Sequence, residues 1–149
     1  MNFVSSFDPN NISLRSSASS REEILVELTH ILYSNNVISN ESNFLDDADF
    51  REEFGMTGIG NGVAIPHGID QCVNYPAIAV ATLKNGIFWK SIDDQPVNLV
   101  LLFAEPEVGS RIHHTEFLAN YIKKISNPGS LEALKNADTA DMVLKILED

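Results

Sequence analysis

From Ser20 to Asn36 the apolar residues Ile24, Leu25, Leu28, Ile31 and Leu32 recur at the spacing of a helix with one buried face. Ser20 followed three residues later by Glu23 fits a capping box, and Asn35-Asn36 is expected to end the helix. Asn40 can cap a second helix that carries Phe44, Leu45 and Ala48 and stops before Gly55. The pattern then changes. Val63 to Ile65 is too short for a helix and predicts a strand, and so does the alternating run of small and branched residues from Ala77 to Leu83. Asn85-Gly86 predicts a turn, with Ile87-Phe88-Trp89 returning as a short strand. The almost unbroken apolar run from Val97 to Ala104 is that of a strand buried on both faces. From Ile112 onward the period is helical again, through Phe117, Leu118, Tyr121, Ile122 and Ile125. Asn127-Pro128 opens a short helix to Lys135, since proline suits the first helical position. A last helix starts at Asp138 or Thr139 and carries Met142, Val143 and Ile146. Two helices, a central group of strands and three more helices predict an α/β domain with helices packed on a sheet.

Composition narrows the setting. At 149 residues, with no internal repeat and no linker rich in proline or serine, one domain over 1–149 is expected. The balance of 44% hydrophobic and 21% charged residues is that of a soluble globular protein. The longest uncharged apolar run, Pro76 to Leu83, is far short of the ~20 residues a membrane helix needs, so no direct membrane insertion is expected. Met1 to Asn11 has neither a basic start nor a long apolar block, which makes a cytoplasmic location the default expectation. A net charge of −11 argues against nucleic acid and anionic membranes as partners, and is compatible with a protein that offers a basic face or with solubility alone. The single cysteine, Cys72, excludes an internal disulfide framework and a cysteine zinc cluster; an inert, packed thiol is the expectation.

Candidate chemistry is concentrated between Arg51 and Gly68. Gly58, Gly60 and Gly62 fall within five residues, and His67 stands between Pro66 and Gly68 at the end of the predicted strand. The glycines do not form a dinucleotide fingerprint, because Val63 stands where the next glycine is needed, and no Gly-Lys-Ser/Thr follows. They also lead into a strand instead of a helix, so nucleotide binding is rejected; a tight turn at a sheet edge is the plain alternative. Pro66 restrains the backbone before the histidine, and Gly68 removes bulk after it, which suggests an imidazole open to approach.

Helical phase supplies companions. His114 lies within the arc of Phe117, Leu118, Tyr121, Ile122 and Ile125, and so faces the sheet. His113 falls about 110° from the centre of that arc. Arg51 follows Phe44 by seven positions and Ala48 by three, extending the inward face of the second helix. The helix dipole favours a cation there, but an inward arginine also needs an anion, and a transferred phosphoryl group would be one. A metal held by His67, His114 and either Asp70 or Glu116 is the competing constellation, though neither HExxH nor cysteine ligands are present. No G-x-S-x-G elbow points to a serine hydrolase.

The string Thr57-Gly-Ile-Gly-Asn-Gly-Val-Ala-Ile-Pro-His-Gly68, preceded by Arg51-Glu52, resembles the enzyme IIA domain of the bacterial phosphoenolpyruvate-dependent sugar phosphotransferase system, fructose–mannitol type. The resemblance extends over essentially the whole chain. It implies a three-layer α/β sandwich with a mixed central β-sheet flanked by helices. It implies that His67 accepts a phosphoryl group on Nε2 from the phosphohistidine of the HPr carrier and passes it to the cysteine of a cognate enzyme IIB. His114 matches the family's second histidine and Arg51 its arginine. Thr57 and the amides from Gly58 through Gly60 to Gly62 are further expected donors to the phosphoryl group. No cofactor, nucleotide or metal is implied, because the group arrives already activated. Thr115 departs from the aliphatic residue that commonly follows the second histidine. A regulatory, nitrogen-related module of the same fold, in which phosphorylation of His67 controls partner binding, is the alternative.

Overall fold

The computed structural model describes residues 8–107 and 122–148. A 3-10 turn at Pro9–Asn11 leads into strand β1 (Ile12–Ser16), helices α1 (Arg21–Ser34) and α2 (Glu41–Phe54), and strands β2 (Gly58–Gly60), β3 (Val63–Ala64) and β4 (His67–Asp70). The long strands β5 (Ala77–Ile87) and β6 (Val97–Pro106) follow. After a helical turn at 122–125 come α3 (Pro128–Lys135) and α4 (Ala140–Glu148).

The strands form one mixed sheet in the order β1-β5-β6-β3-β2, with β4 joined to β6 beyond β3. β5 and β6 run antiparallel through its centre, while β3 and β4 both lie parallel to β6. Alternate residues of the central pair serve opposite layers. Ala79, Ala81, Val100 and Leu102 pack with Leu25, Leu28 and Phe44 of α1 and α2. Ile78, Val80, Leu99, Leu101 and Phe103 pack with Leu131, Leu134, Val143 and Leu147 of α3 and α4. Both faces are therefore covered, which is why these strands appear as continuous apolar runs, and the expected α/β sandwich is the observed architecture. Among the described residues no helix is long and apolar enough to cross a membrane.

The helix caps follow local chemistry closely. Ser20 Oγ accepts the amide of Glu23 at 3.1 Å, Asn40 that of Asn43 at 3.0 Å, and Asn127 that of Ser130 at 3.1 Å. The capping box is shifted by one residue, since the Glu23 carboxylate accepts the amide of Ser19, not that of Ser20. The predicted turn at Asn85-Gly86 is not a turn. β5 continues through it to Ile87 with a register shift, and the chain reverses between Phe88 and Pro96. A Cβ at Gly86 would lie 2.7 Å from Pro96 Cβ, so this glycine admits a close approach inside a bulged strand. Strand β1, Ile-Ser-Leu-Arg-Ser, offers only a four-residue alternation as its local signal, and it is fixed by parallel pairing with β5 and by its serines, which bond Glu27 of α1.

α2 differs from α1 in what holds it. α1 buries Ile24, Leu25, Leu28 and Leu32, whereas α2 buries only Phe44 and Ala48 among its apolar residues. Polar contacts supply the rest: Arg21 pairs with Asp49 at 2.9 Å and with Glu52 at 3.4 Å.

Candidate functional site

The glycine segment is half strand and half turn. β2 and β3 form a hairpin closed by Asn61-Gly62, whose φ angles of 57° and 79° are both positive, as a type I′ turn requires. Gly58 lies against the Lys90–Ser91 backbone, where a Cβ would come within 2.6 Å of the Lys90 carbonyl oxygen. Gly62 borders a depression of about 670 Å³ that also includes Asn98 and Lys135.

The strand does not end at His67, as the sequence suggested. β3 and β4 are two lengths of one line along β6, interrupted at Ile65-Pro66 and resumed at His67. The Pro66 carbonyl keeps the ladder intact by accepting the Phe103 amide at 2.9 Å. His67 pairs in register with Phe103, and their rings stack with centroids 5.2 Å apart and planes 16° from parallel. Gly68 points the other way. A Cβ there would lie 2.3 Å from the Phe44 ring, so the glycine seats α2 against the strand; that is its role, more than clearing bulk from the imidazole.

A cleft of about 470 Å³ opens where α2 meets β4, lined by His67, Arg51, Thr57, Ile69, Phe50 and Phe54, with Gly55 and Met56 at its margin. The structure thus brings His67 and Arg51 together. Arg51 donates through Nε to Asp47 Oδ2 at 2.7 Å and, at the long distance of 3.5 Å, through Nη2 to the Ile69 carbonyl. Thr57 also lines the cleft, but its hydrogen-bonding capacity is turned to the wall. Its amide donates to Glu52 at 2.8 Å, its hydroxyl donates to Glu52 at 2.5 Å, and the hydroxyl oxygen accepts the Trp89 indole N–H at 3.1 Å. Trp89 is buried, and the Arg21 guanidinium lies over its ring at 5.4 Å. Gly58, Gly60 and Gly62 do not line this cleft. His114 and His113 lie outside the described residues, as does Glu116.

Two site features escaped the sequence reading. One is the pair of carboxylates, Asp47 and Glu52, that anchor Arg51 and Thr57; the signal for Asp47 was its position four residues before Arg51 on a helix. The other is the apolar rim. Phe50, Phe54 and Met56 are 56%, 77% and 42% exposed, and the two phenyl rings touch at 4.8 Å between centroids. Their i, i+4 spacing could have marked them as a surface pair.

Cys72, just beyond β4, is buried, and burial followed by the adjacent Asp70 carboxylate pushes its thiol up to about 12. Such a thiol is a poor nucleophile at neutral pH. Asp70 accepts the Cys72 amide at 2.9 Å, and among the described residues no group of three or more histidine, cysteine or acidic side chains is placed to hold a metal ion.

Fold and cleft define an α/β sandwich whose edge strand presents a histidine beside an arginine. Residues 5–149 match the family model described as phosphoenolpyruvate-dependent sugar phosphotransferase system, EIIA 2, and the chain belongs to that family. It is 32% identical over 124 residues to the PTS system fructose-like EIIA component of Escherichia coli K12, covering 83% of this chain and 82% of the relative. It is 31% identical over 150 residues to the PTS system 2-O-alpha-mannosyl-D-glycerate-specific EIIABC component of the same organism; that match takes in 100% of this chain but only 23% of the longer relative. The nitrogen regulatory protein IIA-Ntr of Neisseria meningitidis superposes with a TM-score of 0.90 at 26% identity, over 97% of this chain and 98% of that one.

Proposed function

We propose that the 149 residues act as one phosphocarrier unit in which His67 takes a phosphoryl group from the phosphohistidine of HPr and hands it to the cysteine of an enzyme IIB. The observation that carries this reading is the shared open cleft of His67 and Arg51 in a chain of the EIIA family. In the first step the lone pair of the His67 nitrogen, Nε2 by the family resemblance, forms a new N–P bond. The N–P bond of the donor breaks, and its electron pair stays on the donor imidazole. In the second step the IIB thiolate attacks phosphorus, and the His67 imidazole leaves. Neither step needs a metal or nucleotide, because the phosphoramidate is already activated. Arg51 offsets the phosphoryl charge, and His114, by the same resemblance, donates to a phosphoryl oxygen. The exposed Phe50, Phe54 and Met56 around the cleft suit a protein donor that must dock and leave. The net charge of −11 suits a partner with a basic face.

Incubation with phosphoenolpyruvate, enzyme I and HPr is expected to add one acid-labile phosphoryl group, absent in His67→Ala. An unlabelled wild type, or equal labelling of His67→Ala, overturns the reading. The likeness to IIA-Ntr supports a second reading, in which phosphorylated His67 switches the binding of a regulated protein. Transfer onward to an enzyme IIB cysteine favours transport; a complex with a non-transport protein that forms or dissolves on phosphorylation favours regulation.

A further inference from the structure

The acidic run Asp46-Asp47-Ala48-Asp49 leads into Arg51, and the helix gives its members different surroundings. Asp46 and Asp49 are exposed, whereas the Asp47 side chain is 17% exposed and turned toward β4. One oxygen of Asp47, Oδ2, accepts both the Ile69 amide at 2.7 Å and the Arg51 Nε–H at 2.7 Å. Arg51 in turn reaches the carbonyl of the same Ile69. Carboxylate, guanidinium and the backbone N–H and C=O of one β4 residue thus close a ring, and Ile69 is two residues from His67 on that strand.

Resting on the functional reading above, we propose that Asp47 is a positioning residue, which indexes the Arg51 guanidinium to the strand that carries His67. An arginine in the last turn of a helix has long, freely rotating torsions, and ordering it costs side-chain entropy. Asp47 orders it before any anion arrives, by a charge-assisted bond to Nε that sets the guanidinium plane. The same carboxylate moderates the positive charge, so that Arg51 offsets an arriving dianion without retaining it. Because Oδ2 also holds the Ile69 amide, movement of the arginine and movement of the strand are linked. A purely structural carboxylate would satisfy Ile69 and be indifferent to Arg51.

The test is a double-mutant cycle on the full chain, with Asp47→Ala and Arg51→Ala singly and together, and phospho-HPr as the donor. Asp47→Ala is expected to lower kcat by about tenfold or more while KM moves less than about twofold, since geometry is lost and docking is not. In the Arg51→Ala background the same change is expected to alter kcat by less than about twofold. Equal losses in both backgrounds, or a wild-type kcat in Asp47→Ala, overturn the proposal and leave the functional reading intact. An unlabelled wild type overturns both. If Asp47→Ala does not fold, Asp47→Asn replaces it in the cycle. Asparagine keeps an acceptor for the Ile69 amide and removes the charge, so a smaller, Arg51-dependent loss of kcat is expected, and an Arg51-independent one counts against the proposal.

Discussion

Ile65 and Ile69 lie four residues apart on one strand line along β6, and each donates its amide away from β6. Ile65 gives it to a backbone carbonyl, that of Thr57, at 2.9 Å. Ile69 gives it to a side chain, the Asp47 carboxylate, at 2.7 Å. Both amides are satisfied, as buried backbone donors must be. The consequences differ. Where β2 continues the sheet over β3, the edge is closed by another strand. Where α2 stands in for that strand along β4, the contact is made by side chains, and a cleft remains between helix and strand with His67 in its wall. The site is formed where backbone pairing gives way to side-chain pairing. A carboxylate that caps the edge can also hold a cation beside it, which a carbonyl does less well.

The contrast can be broken most severely at the seat of α2. Phe44 is fully buried and packs on Gly68, so Phe44→Ala is expected to cost about 3–5 kcal/mol in denaturant unfolding. Phosphoryl transfer by the surviving folded fraction should also fall, because α2 carries Arg51. Gly68→Ala places a methyl group 2.3 Å from that ring and is expected to cost about 1–3 kcal/mol by overpacking. Phe44→Leu combined with it should recover part of the loss; if the double variant is no better than the sum of the singles, the close approach is not the cause.

A gentler probe reads the two amides directly. In Asp47→Ala the Ile69 amide is expected to exchange with solvent about tenfold faster, from loss of a bond to a charged group, while Ile65 keeps its wild-type rate. Equal acceleration at both positions would mean that the strand responds as a unit and the contrast does not hold.

The smallest effect concerns Cys72, beyond the end of β4. Burial raises its folded pKa from the ordinary 9.0 to about 12, so folding favours the neutral thiol. The stability this contributes is whole below about pH 9 and is lost as pH rises toward 12. Unfolding curves at pH 8 and pH 10.5 should separate more for wild type than for Cys72→Ala. In the native protein at pH 8 the thiol should alkylate slowly, and it should react readily once the chain is unfolded.

Much of this molecule is written in local pattern. Ser20, Asn40 and Asn127 cap helices through bonds that reach only three residues along the chain, so their roles are visible without a fold. The two-sided burial of β6 follows from its own apolar run, and the phase of Arg51 on α2 from a period of 3.6 residues. The EIIA string around His67 is contiguous, which is why family and candidate nucleophile could be named from sequence. Other features depend on partners far along the chain. The role of Asp47 comes from Ile69, 22 positions away, whose amide donates to its carboxylate. Thr57 looked like a donor to a ligand until Trp89, 32 positions away, and Glu52 claimed its hydroxyl. Asn85-Gly86 had the composition of a turn, and only the closeness of Pro96 made it a bulge in a continuing strand. Sequence alone determined the periodic and capped elements, the sheet core and the family string that contains His67, because those rest on torsions and neighbours within a turn or two of chain. Tertiary structure decided which charges face the cleft and which glycines give way to another element, because a side chain's partner is chosen by packing across the sheet and not by the residues beside it.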